Sequence, residues 1–215
     1  MKIAREGIPF VLGFFLIAAA GALLLAVPFR MGPAAALLVV SPLLLLGGFS
    51  LWFFRDPERS IPQGPGLVVS PADGKVVAVV PDPEGPAVAI FLNVFDVHVN
   101  RAPIAGRVES VTYRRGRFLA AFDERAGDLN EQNELVLDGP AGRVRVRQIA
   151  GLIARRIVCR VTEGRTLGPG ERVGIIRFGS RVDLDLPKGT APTVLVGDRV
   201  VAGETVVARR DQGSA

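Results

Sequence analysis

The chain has 215 residues, of which 49% are hydrophobic, and its 26 basic and 21 acidic side chains give a net charge of +5. One cysteine (Cys159) and one histidine (His98) exclude an intramolecular disulfide framework and a histidine-rich metal cluster. The charge is unevenly distributed, because residues 1–54 hold only four charged side chains whereas residues 55–215 hold 23 basic and 20 acidic ones. A disordered chain, a coiled coil and a wholly soluble protein are therefore excluded.

Two uncharged runs occupy the N-terminal quarter of the sequence. The first covers residues 8–29 and the second residues 31–54, and Arg30 is the one charge between them. About 20 helical residues span the hydrocarbon core of a bilayer, so each run is long enough to cross it. The sequence therefore predicts a two-helix transmembrane hairpin within residues 1–54, with helices near residues 8–27 and 34–54.

Basic residues flank the outer ends of this hairpin. Lys2, Arg5, Arg55 and Arg59 lie there, against Arg30 alone in the loop. Because cytoplasmic flanks carry the excess of basic residues, the domain that follows is predicted on the cytoplasmic face of the cell membrane. A cleaved signal peptide is the alternative for the first run, and buried helices of a soluble fold are the alternative for both. The second apolar run and the missing polar face favour the hairpin.

Residues 55–215 show the two-residue periodicity of β-strands. Val182 and Leu184 alternate with acidic residues, and turn-forming pairs separate further short apolar runs, the last of them residues 194–196. These patterns predict a mostly β domain, a sandwich or barrel. Residues 194–208 also resemble the barrel-sandwich-hybrid hairpin of lipoyl and biotinyl domains. The nearby Lys188 precedes that hairpin rather than lying at its turn, so a carrier function is not expected.

Two dipeptides are candidates for chemistry. Gly179-Ser180 ends one apolar run and precedes an alternating strand. Glycine permits unusual backbone angles, and a serine that follows it can attack its carbonyl when the turn is strained. Asp73 lies in an Asp-Gly turn that enters a strand. Taken alone, the first pair is typical of a loop and the second of a turn.

The only histidine lies among polar residues that alternate with apolar ones. If this segment is extended, Asp96, His98 and Asn100 share one face of it. A lone histidine on a strand is usually a surface residue or a hydrogen-bonded one. Three polar groups on one face of an apolar strand instead suggest that they line a cavity.

Five segments, in this order, resemble phosphatidylserine decarboxylase of the short, membrane-anchored type. They are residues 70–74 (SPADG), 96–103 (DVHVNRAP), 130–134 (NEQNE), 148–157 (QIAGLIARRI) and 178–180 (FGS). Each motif is weak alone, but their order behind an apolar hairpin is specific. The resemblance runs from the hairpin to about residue 210.

This resemblance implies a self-processing, pyruvoyl-dependent enzyme. Cleavage between Gly179 and Ser180 would give a large chain, residues 1–179, and a small chain, residues 180–215, that stay together as a heterodimer. Ser180 would become a covalent pyruvoyl group that forms a Schiff base with the substrate amine and accepts electrons as carbon dioxide leaves. Phosphatidylserine would yield phosphatidylethanolamine, a step in phospholipid biosynthesis. Neither a metal nor pyridoxal phosphate would be needed.

Three other side chains within the resembling segments are candidates for a role. His98 is the candidate for proton transfer, since imidazole titrates near neutral pH. Asp73 would orient or polarise a base during cleavage, as in a serine triad. Longer bacterial relatives carry a second histidine where Arg101 stands here, so a division of labour between two histidines does not carry over. Arg101 is instead a candidate contact for the phosphate or carboxylate of the substrate.

Two alternatives belong to other functional classes. A membrane-anchored serine hydrolase would use Ser180, His98 and Asp73 as a conventional triad, but it would lack the Gly-x-Ser-x-Gly elbow. A membrane-tethered β adaptor would keep its chain intact and would not depend on Ser180. Binding to nucleic acid is not expected, because residues 55–215 carry a charge of only +3 and no recognition motif.

Overall fold

A computed structural model describes residues 2–26, 32–121, 123, 125–152, 156–177 and 179–210. The chain separates into two compact units, residues 1–58 and residues 59–215. The first unit contains β1 (Lys2–Ile3), a 3-10 turn (Arg5–Gly7), α1 (Ile8–Ala26), α2 (Pro33–Phe53) and β2 (Arg55–Asp56).

In the first unit, α1 and α2 pack against each other. Small residues let the helices approach closely, because a Cβ on Gly47 would lie 3.0 Å from the ring of Phe15 and one on Gly21 would lie 3.6 Å from Val40. Pro33 begins α2, where its missing N–H is no loss. Both helices are long and apolar enough to cross a membrane. The predicted break between the helices lies mostly outside the described residues.

The second unit is built almost entirely of strands. They are β3 (Leu67–Val69), β4 (Gly74–Val80), β5 (Ala87–Leu92), β6 (Val99–Arg101), β7 (Gly106–Arg114), β8 (Gln132–Gly139), β9 (Gly142–Ala150), β10 (Ile157–Cys159), β11 (Thr166–Leu167), β12 (Arg172–Ile176), β13 (Ser180–Asp185), β14 (Thr190–Pro192), β15 (Arg199–Val200) and β16 (Val206–Arg210), with one short helix, α3 (Ala126–Leu129).

These strands form three antiparallel sheets. The largest has eight strands in the order β11-β7-β8-β9-β13-β5-β4-β15, and the two smaller ones have the orders β10-β12-β6 and β14-β16-β3. The strand β13 lies inside the large sheet, paired along its whole length with β5 on one side and β9 on the other. Both edges of β13 are therefore paired within the sheet.

Alternation along β13 determines which of its side chains enter the core. Val182 and Leu184 are fully buried in the main apolar cluster, together with Ile90 of β5 and Val146 of β9. Side chains two residues apart on a strand share a face, so Ser180 points to the same side as Val182. The hydroxyl of Ser180 is thereby placed at the end of an apolar core.

The predicted fold class, a mostly β domain behind two apolar helices, is confirmed. The expectation of a strand over residues 194–196 is wrong. The amide of Asp198 donates to the Leu195 carbonyl at 3.1 Å, and the amide of Leu195 donates to the Asp198 carboxylate at 2.8 Å. These bonds form a turn that ends just before β15, because an aspartate side chain can satisfy a turn amide in place of a neighbouring strand.

Candidate active site

Ser180 begins β13 and lies in register between Ala150 of β9 and Leu92 of β5. It is fully buried, and its Oγ has no hydrogen-bond partner among the described residues. A buried polar group without a partner costs about 1–3 kcal/mol and is rare in folded proteins, so it calls for an explanation. A hydroxyl that is kept unpaired is available to react with a neighbouring group.

Gly179 precedes this serine in a left-handed backbone conformation, with φ at +70°. A Cβ at this position would meet nothing within 4 Å. A glycine is therefore required here by the backbone conformation and not by lack of space. Any residue with a Cβ would cost about 1–2 kcal/mol in the left-handed region. The Gly179–Ser180 peptide bond lies at the point where β13 begins.

His98 is fully buried and contacts the residue before the serine. Its Nε2 accepts a hydrogen bond from the amide of Gly179 at 3.3 Å, and its Nδ1 donates to the carbonyl of Asp96 at 2.9 Å. A carbonyl can only accept and an amide N–H can only donate, so these partners fix the neutral tautomer with hydrogen on Nδ1. The basic lone pair of the imidazole thus points toward the Gly179–Ser180 segment.

The carbonyl of Gly179 lies against Gly151, the residue after β9. A Cβ built on Gly151 would lie 2.4 Å from the oxygen of Gly179 and 3.1 Å from Cβ of Ala121. No real Cβ approaches an oxygen so closely, so the absence of a side chain here leaves room for the carbonyl. The side-chain Nδ2 of Asn130 donates to the carbonyls of Leu119 at 2.9 Å and Ala150 at 2.7 Å, and so connects the segment before α3 to the end of β9.

A chain of buried side-chain amides connects β8, β9 and β6. The Asn133 side chain donates to Gln148 at 3.0 Å, and Gln148 donates to the Oδ1 of Asn100 at 2.8 Å. The Nδ2 of Asn100 is buried and has no partner among the described residues. Sequence reasoning noted Asn100 only as a neighbour of His98 and gave no role to Gln148 or Gly151. All three lie within the motifs that carry the family resemblance.

Asp73 is hydrogen-bonded to residues other than His98 and Ser180. Its carboxylate accepts two hydrogen bonds from Arg59, at 2.8 and 2.9 Å, and one from the amide of Ala202 at 2.8 Å. Burial raises the pKa of Asp73 above its ordinary value, while the Ala202 amide and the Arg59 guanidinium act in the opposite direction. Sequence reasoning missed Arg59 as a partner, because nothing in the spacing of residues 59 and 73 indicates a contact.

Asp73→Ala is expected to lower the stability of the β-rich unit by about 3 kcal/mol, or roughly 6–12 °C in Tm, because it leaves the buried Arg59 uncompensated. The measurement is thermal unfolding in detergent, with Ser180→Ala as the background so that every chain is intact. Asp73→Leu combined with Arg59→Met should recover most of the loss. An unchanged Tm in the single variant would contradict the ion pair.

Arg101 lies at the end of β6 and is buried. Its Nη1 donates to the carbonyl of Gly170 at 3.0 Å, and a Cβ on Gly203 would lie 3.2 Å from its Cδ. Gly203 follows Ala202, the residue whose amide binds Asp73. The structure therefore brings His98, Gly179 and Ser180 together, and places Asp73 and Arg101 beside the turn at residues 201–204.

Among the described residues, no group of three His, Cys, Asp or Glu side chains could hold a metal ion. Fold and site together define a β-rich domain behind two apolar helices, with a reactive-serine candidate buried next to a left-handed glycine and a histidine. Comparison with known proteins identifies the family to which this domain is similar. The family model for phosphatidylserine decarboxylase matches residues 46–208.

Several curated relatives carry the name phosphatidylserine decarboxylase proenzyme, among them the following three. The protein from Nitratidesulfovibrio vulgaris is 55% identical over 179 residues, covering 80% of this chain and 82% of the relative. The one from Solibacter usitatus is 49% identical and covers 98% of both chains, and the one from Azorhizobium caulinodans is 46% identical over 98% of this chain and 90% of the relative. The chain belongs to the phosphatidylserine decarboxylase family, and the prediction of an enzyme of this family is confirmed.

Proposed function

We propose that this protein decarboxylates phosphatidylserine to phosphatidylethanolamine by means of a pyruvoyl group that it makes from Ser180. The observation that carries the proposal is the buried, unpartnered Oγ of Ser180 directly after a left-handed Gly179 whose amide contacts His98. Family membership supports the reaction, and this geometry supports the route to the prosthetic group.

Self-cleavage begins with attack of the Ser180 Oγ on the carbonyl carbon of Gly179. The amide bond breaks, an ester forms, and the proton of the hydroxyl moves to the nitrogen of Ser180. Removal of the Cα proton of Ser180 then breaks its Cβ–O bond, which leaves a carboxylate on Gly179 and dehydroalanine at position 180. Uptake of one water and loss of ammonia converts this residue into the pyruvoyl group.

The residues around Ser180 fit this chemistry. His98 presents the lone pair of Nε2, which becomes available for a proton once its long bond to the Gly179 amide opens. Gly151 leaves space at the oxygen that gains negative charge during the attack. When formed, the pyruvoyl group supplies an electron sink that stabilises the carbanion left by the departing carboxylate.

The serine hydrolase alternative is less well supported. In a triad the Nδ1 of the histidine donates to a carboxylate, whereas Nδ1 of His98 donates to the backbone carbonyl of Asp96. The carboxylate of Asp73 accepts from Arg59 and Ala202. The adaptor alternative leaves the unpaired hydroxyl without an explanation.

The intact mass of the purified protein tests the proposal. We expect two chains, residues 1–179 and 180–215, with the small chain blocked to Edman sequencing. Borohydride added with phosphatidylserine should couple the substrate amine to the small chain. A single chain of 215 residues that hydrolyses lipid or peptide would favour the hydrolase, and an inert single chain would favour the adaptor.

The two chains are expected to remain together after cleavage. The small chain contributes β13, which pairs along its length with β5 and β9 of the large chain, and β16, which pairs with β3 of the large chain. Size-exclusion chromatography in mild detergent should therefore elute both chains in one peak, and they should separate only in denaturant. Elution of a free small chain in mild detergent would contradict this pairing.

Gly151→Ala is expected to slow self-cleavage by about 100-fold, because the new Cβ must displace the carbonyl that Ser180 attacks. The rate is followed by intact mass after synthesis of the chain. Gly168→Ala is the control, since a Cβ there meets nothing within 4 Å. Tm measured in the Ser180→Ala background separates an effect on cleavage from an effect on folding, and normal cleavage of Gly151→Ala would refute the role of Gly151.

We further propose that the two apolar helices span the cell membrane as a hairpin, with the β-rich unit on the cytoplasmic face. Their length and composition support a membrane location, and the basic residues at the outer ends of the two runs support the orientation. Such an anchor confines the enzyme to the bilayer that contains its lipid substrate.

A further inference from the structure

Three neighbouring strands of the large sheet have their ends at the same edge. Ala150 ends β9, Ser180 begins β13 and Leu92 ends β5, and the three residues lie side by side in register. We call this end of the sheet the site edge. Ser180 is enclosed by β9 and β5 on its two sides, and the rest of β13 leads away toward Asp185. Ser180 therefore lies at the site edge, beside the residues by which the chain leaves β5 and β9.

Two large apolar side chains extend beyond the site edge. Leu152 lies two residues after Ala150 and is 63% exposed, and Phe95 lies three residues after Leu92 and is 67% exposed. They follow the strands on either side of Ser180. Single exposed apolar residues are common on soluble domains, so it is the position of these two, one on each side of the candidate reactive residue, that calls for an explanation.

Two basic side chains accompany this apolar pair. Lys75 at the start of β4 and Arg199 of β15 are paired in register and exposed. Arg199 reaches the carboxylate of Asp96 at 3.2 Å, in the turn that also contains Phe95. The backbone carbonyl of this same Asp96 orients His98. Exposed apolar residues with basic neighbours are typical of surfaces that enter the interface of an anionic bilayer.

We propose that the site edge is a membrane-contact surface, in which Phe95 and Leu152 enter the lipid interface and Lys75 attracts anionic lipid. This inference rests on the proposed lipid substrate and adds the face of the β-rich unit through which that substrate enters. A phosphatidylserine molecule could then reach Ser180 with its acyl chains still in the bilayer. The Phe95 turn would place His98 close to the headgroup.

Fluorescence quenching by brominated lipids tests the contact in the full chain. Trp52 is the one tryptophan and is replaced first, by Trp52→Phe, and the protein is placed in nanodiscs that contain phosphatidylserine. Phe95→Trp and Leu152→Trp should each lose most of their emission when the acyl chains carry bromine. Val80→Trp is the matched control, because Val80 is 53% exposed and lies at the far end of β4. We expect little quenching there.

A kinetic measurement separates the membrane contact from the chemistry. The double variant Phe95→Asp, Leu152→Asp should lower the ratio of activity on phosphatidylserine vesicles to activity on monomeric short-chain phosphatidylserine by about tenfold or more. Val80→Asp should leave this ratio unchanged. Intact mass reports in each case that the chain has cleaved, and rates are normalised to the cleaved protein.

The possible failures are distinguishable. If the wild-type protein decarboxylates lipid but the tryptophans at the site edge are quenched no more than the control, the membrane contact is refuted and the proposed function stands. An unchanged activity ratio in the double aspartate variant has the same meaning. If the cleaved wild-type protein decarboxylates neither vesicular nor monomeric phosphatidylserine, the proposed function itself fails.

Discussion

Replacing Ser180 with alanine is expected to give a single uncleaved chain of 215 residues that has no decarboxylase activity. The reason is that no other atom at this position can attack the Gly179 carbonyl and then leave from Cβ, so neither the ester nor the new N-terminus can form. Alanine removes a buried hydroxyl that has no partner, so the domain should fold normally. Intact mass, borohydride trapping and release of carbon dioxide from labelled phosphatidylserine are the three measurements.

Ser70→Ala is the matched control for this experiment. Ser70 is as fully buried as Ser180, but its Oγ donates to the carbonyl of Ala72 at 2.6 Å. Its replacement should lower Tm modestly and leave self-cleavage intact, because it lies at no scissile bond. Ordinary turnover by Ser180→Ala, or cleavage of its chain between residues 179 and 180, would remove the serine from the mechanism.

The two-residue periodicity of the sequence correctly predicted a strand at Val182 and Leu184, and the structure begins this strand at Ser180 itself. Val182 and Leu184 are core residues, and the same alternation places Ser180 on the core face. This inference works because strand geometry is local and the period is strict. The apolar composition of residues 8–54 likewise predicted two long helices, since helices satisfy their own backbone hydrogen bonds without long-range pairing.

The surroundings of His98 were only partly predictable. If the segment were extended, Asp96 and His98 would share one face, as the sequence predicted. In the structure the backbone amide of Asp96 instead donates to the Asn93 carbonyl and forms a turn. His98 is consequently oriented by the backbone carbonyl of Asp96. The carboxylate of Asp96 accepts hydrogen bonds from the backbone amide of Asn93 and the guanidinium of Arg199. Asparagine and aspartate form such turns through their own side chains, which compete with strand formation over short distances.

Contacts between distant segments could not be read from the sequence. The ion pair of Arg59 with Asp73 and the close approach of Gly151 to Gly179 both depend on how strands pair in three dimensions. In a sequence, a glycine that leaves room for a carbonyl cannot be told from a glycine that forms a turn. Only the pairing register of the strands distinguishes the two cases. The sequence therefore indicated the proposed cleavage site but not the residues that shape the space around it.

His98→Gln is expected to lower decarboxylation by about 100-fold or more, because general acid–base catalysis by a positioned side chain contributes rate factors of this size. Glutamine can still donate to the Asp96 carbonyl and accept from the Gly179 amide, so the local structure should persist. It cannot exchange a proton near neutral pH. Because the same side chain is a candidate for cleavage, activity is expressed per small chain that borohydride can trap with substrate.

The two roles of His98 can be separated by hydroxylamine, which cleaves esters but leaves amides intact. If His98 removes the Cα proton of Ser180, His98→Gln should accumulate the ester, and hydroxylamine should convert it to a large chain ending in a hydroxamate and a small chain starting with free Ser180. His98→Ala gives the same test without the hydrogen bonds of glutamine. Wild-type rates of decarboxylation per trapped small chain in both variants would exclude His98 from decarboxylation. The buried amides of Asn100 and Gln148 would then be the next side chains to substitute.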